Sequence, residues 1–291
     1  MENGQVHSNQ DSGELEMVNG TSKTDVVMSS AGEFGRWQAL VAFLVSLIKI
    51  PVAWFQLGIV FLAPPLTSPP ICSRPDGVNL TLEQWKNISQ PPIVKWDLIC
   101  DRTQLTNIVQ MTFMFGILIG NILFGIWADR IGRKRPLFFA IIFQSIAAIA
   151  AAVVPWYEGF VILRFLLAIC TGGTMITSFV ICMEIVGGWW RTAIPILYQV
   201  PFGLGQIIMS VLAFYIREWR HLQITLALAS SLLVGCWWVV PESPRWLLAV
   251  GRRKKAYEIL KKAAKRNGRS TKALNDLIRE DDLQNREQVT M

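Results

Sequence analysis

A chain of 291 residues that is 52% hydrophobic and 17% charged, with a mean hydropathy of +0.37, lacks the composition of a soluble domain, where about a quarter of residues are charged. Its formal net charge of +7 sits in a few crowded segments, and charge almost vanishes between them. That distribution belongs to a multi-span membrane protein and argues against a nucleic-acid-binding patch.

Residues 1–36 are polar, with no apolar core and no small-residue cleavage site, so they read as a disordered cytosolic tail rather than a signal peptide. A spanning helix needs about 20 mostly apolar residues. Six stretches qualify: Trp37–Leu62, Leu105–Ala128, Leu137–Trp156, Phe160–Met183, Ala193–Ile216 and Leu222–Val240. The fold class is therefore an all-α membrane protein, with a six-helix bundle over 37–240 and an outside loop at 63–104. Residues 241–291 form a basic cytosolic helix and tail. Within it, Ser243 caps a helix with Pro244 in its first turn, and Trp246, Val250, Tyr257, Leu260 and Ala264 make an apolar stripe.

Lys and Arg stay preferentially in the cytosol during insertion. Of 28 such residues, 20 fall on the side of the termini and 6 on the other, which places both termini in the cytosol. The outside loop carries two glycosylation sequons, at Asn79 and Asn87, whereas the sequon at Asn19 falls in the cytosolic tail. The same loop holds Cys72 and Cys100, which an oxidising compartment permits to pair. Cys170, Cys182 and Cys236 lie in spans and read as small packing residues.

Polar groups within a bilayer usually face the bundle interior or a water-filled cavity. Lys49 and Gln56 share a face of the first span. Asn107, Gln110 and Asn121 mark the second, and Gln199 and Gln206 the fifth, beside Tyr198. The fourth carries Arg164 near its outer end, then Thr171, Thr174 and Thr177. Spans three and six are poorer in such groups and are expected to face lipid. The plainer reading is that these residues only hydrogen-bond between helices. "GILIG", from Gly116 to Gly120, is a helix-packing motif. There is no phosphate loop and no metal-ligand spacing, and His7 and His221 stand alone. No enzymatic activity, metal or cofactor is expected.

Between spans two and three runs "GIWADRIGRKRP", Gly125 to Pro136. A plain positive-inside loop explains Arg133 to Arg135 but not the Asp and Gly spacing. Gly125 permits close packing, Gly132 a tight turn, and Asp129 can cap a helix start. The motif resembles the signature turn of the major facilitator superfamily. "VKWDLICDRTQL" closes the outside loop, "MEIVGGWWRTAIPILYQ" joins spans four and five, and "PESPRWLL" follows span six. With these blocks the chain resembles the organic cation/anion/carnitine transporters, solute carrier family twenty-two.

The resemblance implies the N-terminal six-helix half of a twelve-span transporter, at the plasma membrane, with its substrate site at mid-membrane between two halves. It implies a small organic ion as substrate, membrane lipid as surroundings, and a C-terminal half or full-length transporter as partner. In cation-selective relatives span four carries a basic residue and aromatics; the matching positions are Gly172, Met175 and Phe179, and only Phe179 keeps that character. The cavity candidates are Lys49, Gln56, Gln110, Asn121, Phe179, Tyr198 and Gln199. Asp129, Arg130, Arg133, Glu184, Arg191, Glu242 and Arg245 are expected to form cytosolic charge pairs that make and break as the halves rock. The alternatives are a sugar porter half, since the turn and "PESPRWLL" also occur there, and a truncated form that binds full-length transporters without transporting.

Overall fold

The computed structural model describes residues 34–59, 104–216, 218–272, 275 and 279. Among the described residues every regular element is helical. The first span is α1 (Arg36–Leu47) and α2 (Lys49–Leu57). Spans two to four are α3 (Gln104–Ile131), α4 (Lys134–Val153) and α5 (Tyr157–Ile185). The fifth is α6 (Trp190–Leu197) and α7 (Val200–Tyr215). The sixth is α8 (Trp219–Leu232), finished by a 3-10 turn over Leu233–Trp238. These six helical stretches are long and apolar enough to cross a membrane, as the hydropathy predicts.

The described residues pack as two units, within the following bounds. One comprises Phe43–Ile181 and Ile196–Val240; the other Met1–Ala42, Cys182–Pro195 and Pro241–Met291. In the first, Trp54, Phe55, Phe113, Ala148, Leu167, Met209, Leu222 and Leu226 belong to one buried apolar cluster drawn from all six spans. Close backbone approach holds it. A Cβ added to Gly120 would lie 2.1 Å from the Ile169 carbonyl oxygen, and one added to Gly172 2.5 Å from that of Ile117. Glycine is thus required where spans two and four cross, and "GILIG" is a packing motif. Spans one and five meet less tightly at Gly205, where a Cβ would lie 3.0 Å from the Ile50 carbonyl oxygen and whose own carbonyl accepts a 2.8 Å hydrogen bond from Trp54 Nε1.

The third span is more buried than expected, although Phe139, Ile142, Phe143 and Ile146 stay exposed. Of its most apolar stretch, 61% is buried within the chain, against 28% and 22% for spans two and five. Its Gln144 is buried, accepts from Thr174 Oγ1 at 3.2 Å and donates to Ser230 Oγ at 3.5 Å. Gln223 Nε2 of span six donates to the Ala148 carbonyl at 2.9 Å. Side chains too few to form a stripe in sequence become inter-helix links once three helices supply partners, because an unpaired polar group in hydrocarbon is costly.

In the second unit, Ser243 caps α9 (Pro244–Ala249), accepting from Trp246 N at 3.2 Å. The apolar stripe predicts one continuous helix from here, but Gly251, at φ +76°, ends it, and α10 (Arg253–Arg266) starts afresh. Trp246, Tyr257, Leu260 and Ala264 are buried as the stripe requires, whereas Val250 falls at the break and is exposed. Asn267 Oδ1 accepts from Trp37 N at 3.0 Å, tying the end of α10 to the start of the first span.

Candidate functional site

Two spans are broken by the same device. Proline lacks an N–H, and its ring clashes with the carbonyl four residues earlier. Pro51 therefore ends α1 at Leu47, and Pro201 ends α6 at Leu197. The i→i+3 bonds Ile48 N to Val45 O, 3.2 Å, and Gln199 N to Ile196 O, 3.1 Å, tighten the two breaks. Lys49 and Tyr198 lie at these breaks, and the fold brings them together. Lys49 is 5% exposed, and its Nζ lies 4.7 Å from the centroid of the Tyr198 ring and 6.0 Å from that of Phe202. The Tyr198 hydroxyl shares a 2.5 Å hydrogen bond with Ser178 Oγ, and Phe179 packs at 5.7 Å from the Tyr198 ring. A desolvated ammonium over an aromatic face gains about 2 kcal/mol. The arrangement fixes a cation beside a hydroxyl pair and three aromatic rings, a group able to hold a charged or aromatic molecule.

Not every cavity candidate joins it. Gln199, one residue past Tyr198, is exposed, and Gln56 is half-buried two turns from Lys49. Gln110 and Asn121 are half-buried on span two, and Gln110 Oε1 and Asn121 Oδ1 have no hydrogen-bond partner among the described residues. Ser178 and Phe202 join the group unannounced, since a serine and a phenylalanine in a span give no sequence signal of their own.

In sequence Arg164 is only a polar residue near the end of span four. In the fold it is 1% exposed, with its guanidinium carbon 4.8 Å from the Phe113 ring centroid and 5.9 Å from that of Phe160. Its Nε and Nη2 have no hydrogen-bond partner among the described residues. It lines a small cavity with Trp54, Phe55, Gly58, Met209, Leu222, Gln223 and Leu226.

Comparison with known proteins now places the chain. Residues 77–290 match the family model "Sugar (and other) transporter", which is well over half the chain. The chain belongs to this family. Relatives of this sugar-and-other-transporter chain include the "Organic cation transporter protein" of Drosophila melanogaster, 36% identical over 175 residues, covering 60% of this chain and 32% of that one. The human "Solute carrier family 22 member 13" is 38% identical over 188 residues, covering 64% and 34%. The chain spans about a third to about half the length of the first curated relatives it matches. Among solved structures, the major facilitator superfamily proton:xylose symporter XylE is similar with a TM-score of 0.63 at 18% identity, covering 83% of this chain and 52% of that one. The expected superfamily and its solute carrier family twenty-two homologues are thus found, and the chain is an integral multi-pass membrane protein with the major facilitator fold.

The family's signature turn departs from expectation in two details. Asp129 does not cap a helix start. It lies in the last turn of α3 and forms a 2.8 Å ion pair with Arg133, whose Nη1 also donates to the Ala128 carbonyl at 2.8 Å. Arg133 itself occupies the N-cap of α4, and Gly132, at φ +113°, makes the turn. A Cβ on Gly125 would meet nothing within 4 Å, so close packing within this chain does not require glycine there. Arg130 and Arg191 are exposed, and Glu184 and Arg245 are half-buried. Glu242 accepts from Ser243 N at 3.2 Å. Asp129, Arg130 and Arg133 belong to one packed unit, and Glu184, Arg191, Glu242 and Arg245 to the other. The sequons at Asn79 and Asn87 and the pair Cys72 and Cys100 lie outside the described residues.

Proposed function

We propose that this chain is one half of a transporter for small organic ions, working by alternating access, with Lys49, Phe179, Tyr198 and Phe202 lining its substrate site and Ser178 orienting Tyr198. The observation that carries the reading is the meeting of Lys49 and Tyr198 at two proline-broken spans. Discontinuous helices supply the substrate sites of many transporters, because a break frees polar groups at mid-membrane. The curated relatives at 36% and 38% identity favour organic ions over sugars, since the likeness to the xylose symporter, at 18%, speaks for the fold. Gln56, Gln110, Asn121 and Gln199 extend the cavity toward a second half. The seven cytosolic charges form pairs that hold one state and break in the other.

The test is uptake. Alternating access needs two domains that close the site from opposite sides. The 291-residue chain in liposomes is expected to give no saturable uptake of labelled organic cations, carnitine or organic anions. Joined to the C-terminal half of human solute carrier family 22 member 13, it is expected to give saturable uptake of at least one of them. Saturable uptake by the chain alone, or none by the chimera when it is folded, counts against the reading.

The same reading puts both termini in the cytosol at the plasma membrane. Asn79 and Asn87 are then expected to carry glycans, and Asn19 none. Each Asn→Gln variant is compared by gel mobility with and without glycosidase; a shift on losing Asn19 reverses the topology. Cys72 and Cys100 are then paired in the same outside loop.

A further inference from the structure

We propose that Arg164 holds a small monovalent anion, of halide size, inside the bundle, in the cavity that it shares with Gln223 and Trp54. Its guanidinium is buried within this chain alone, at 1% exposure, so neither a lipid headgroup nor a second domain reaches it without rearrangement. Its Nε and Nη2 lack hydrogen-bond partners, and among the described residues no carboxylate pairs with it. The acid nearest in sequence, Glu158, is exposed on the first turn of α5, and Glu218, at the N-cap of α8, pairs with His221 at 2.7 Å. The faces of Phe113 and Phe160 offset part of the charge but carry no counter-charge. An unpaired guanidinium in an apolar interior demands one.

The cavity sets the size. It has room for about one water molecule, which excludes a bulky organic anion; a halide is somewhat larger than water, so its entry needs small shifts of the lining side chains. Its wall is otherwise mostly apolar, and Trp54 Nε1 is already committed to the Gly205 carbonyl. The competitor is water itself, since Gln223 Oε1, also without a hydrogen-bond partner, accepts from water and repels an anion. Charge decides between them, because water satisfies both groups without neutralising the cation.

The probe is chloride on the purified 291-residue chain in nanodiscs of zwitterionic lipid, exchanged against gluconate at constant ionic strength. The unfolding midpoint is expected to rise saturably with chloride, and Arg164→Met to abolish that rise. Gln223→Leu, which removes the competing acceptor, is expected to keep the rise. Bromide is expected to quench tryptophan emission with a saturable component that disappears in Trp54→Phe, a reading that stands even where Arg164→Met does not fold. A midpoint indifferent to chloride together with strictly linear quenching means that the cavity holds water only, and overturns the proposal. A chloride response that survives Arg164→Met overturns it too, because the anion then sits elsewhere.

Discussion

Gly120→Val is expected to leave little of the purified chain monodisperse and folded in detergent. The Cβ alone would stand 2.1 Å from the Ile169 carbonyl oxygen, and the next contacts, at 2.8 and 2.9 Å, are also backbone. A flexible side chain can turn aside from such a clash; a helix backbone cannot, so spans two and four must separate. Overpacking of a core costs about 1–3 kcal/mol when side chains can adjust, and here the cost belongs at or above the top of that range. The separation also loosens Phe113, Leu167 and Ala168 in the common cluster. The control is Gly203→Ala in α7, where the added Cβ meets nothing within 4 Å. Alanine in a helix interior gains about 0.5–1 kcal/mol over glycine, so this variant should melt at or slightly above the parent. If Gly120→Val melts with Gly203→Ala, the crossing does not hold the bundle.

That crossing is legible in the sequence, because small residues four apart on an apolar helix have one common use. The spans are legible for a similar reason: hydropathy over about 20 residues reports the bilayer, whatever the neighbouring helices do. The breaks are less so. Pro51 and Pro201 stand in plain view, yet a proline in a span is often tolerated, and only the tertiary fold shows that Leu47 and Leu197 end their helices. Arg164 is easily undervalued, because a lone cation near a span end resembles a snorkelling residue until its burial is known. Gln144 falls on a span expected to face lipid because a stripe count sees one helix at a time, while its partners Thr174 and Ser230 come from two others. The general taste of Asp for helix starts misleads at Asp129, which the geometry instead pairs with Arg133, one turn on.

Lys49→Met is expected to lower kcat/KM for organic anions by about 10- to 150-fold in the chimera with the C-terminal half, and to spare organic cations. A hydrogen bond to a charged group contributes about 1.5–3 kcal/mol, which converts to that range. The surroundings of the ammonium suit it to attract an anion. Burial at 5% exposure raises the strength of its field, and Tyr198 and Phe202 hold it without screening it as water would. Lys49→Arg keeps the charge but not the compact head, and should recover part of the activity. Tyr198→Phe keeps the ring over Lys49 and removes only the bond to Ser178, so its cost should be nearer a neutral hydrogen bond, about 0.5–1.5 kcal/mol, or roughly 2- to 13-fold. Ser178→Ala should match it, and the double variant should cost little more than either, because both remove the same bond. Equal loss of anion and cation uptake in Lys49→Met, at unchanged surface expression and melting midpoint, would mean that Lys49 holds the broken spans together and does not select the substrate's charge.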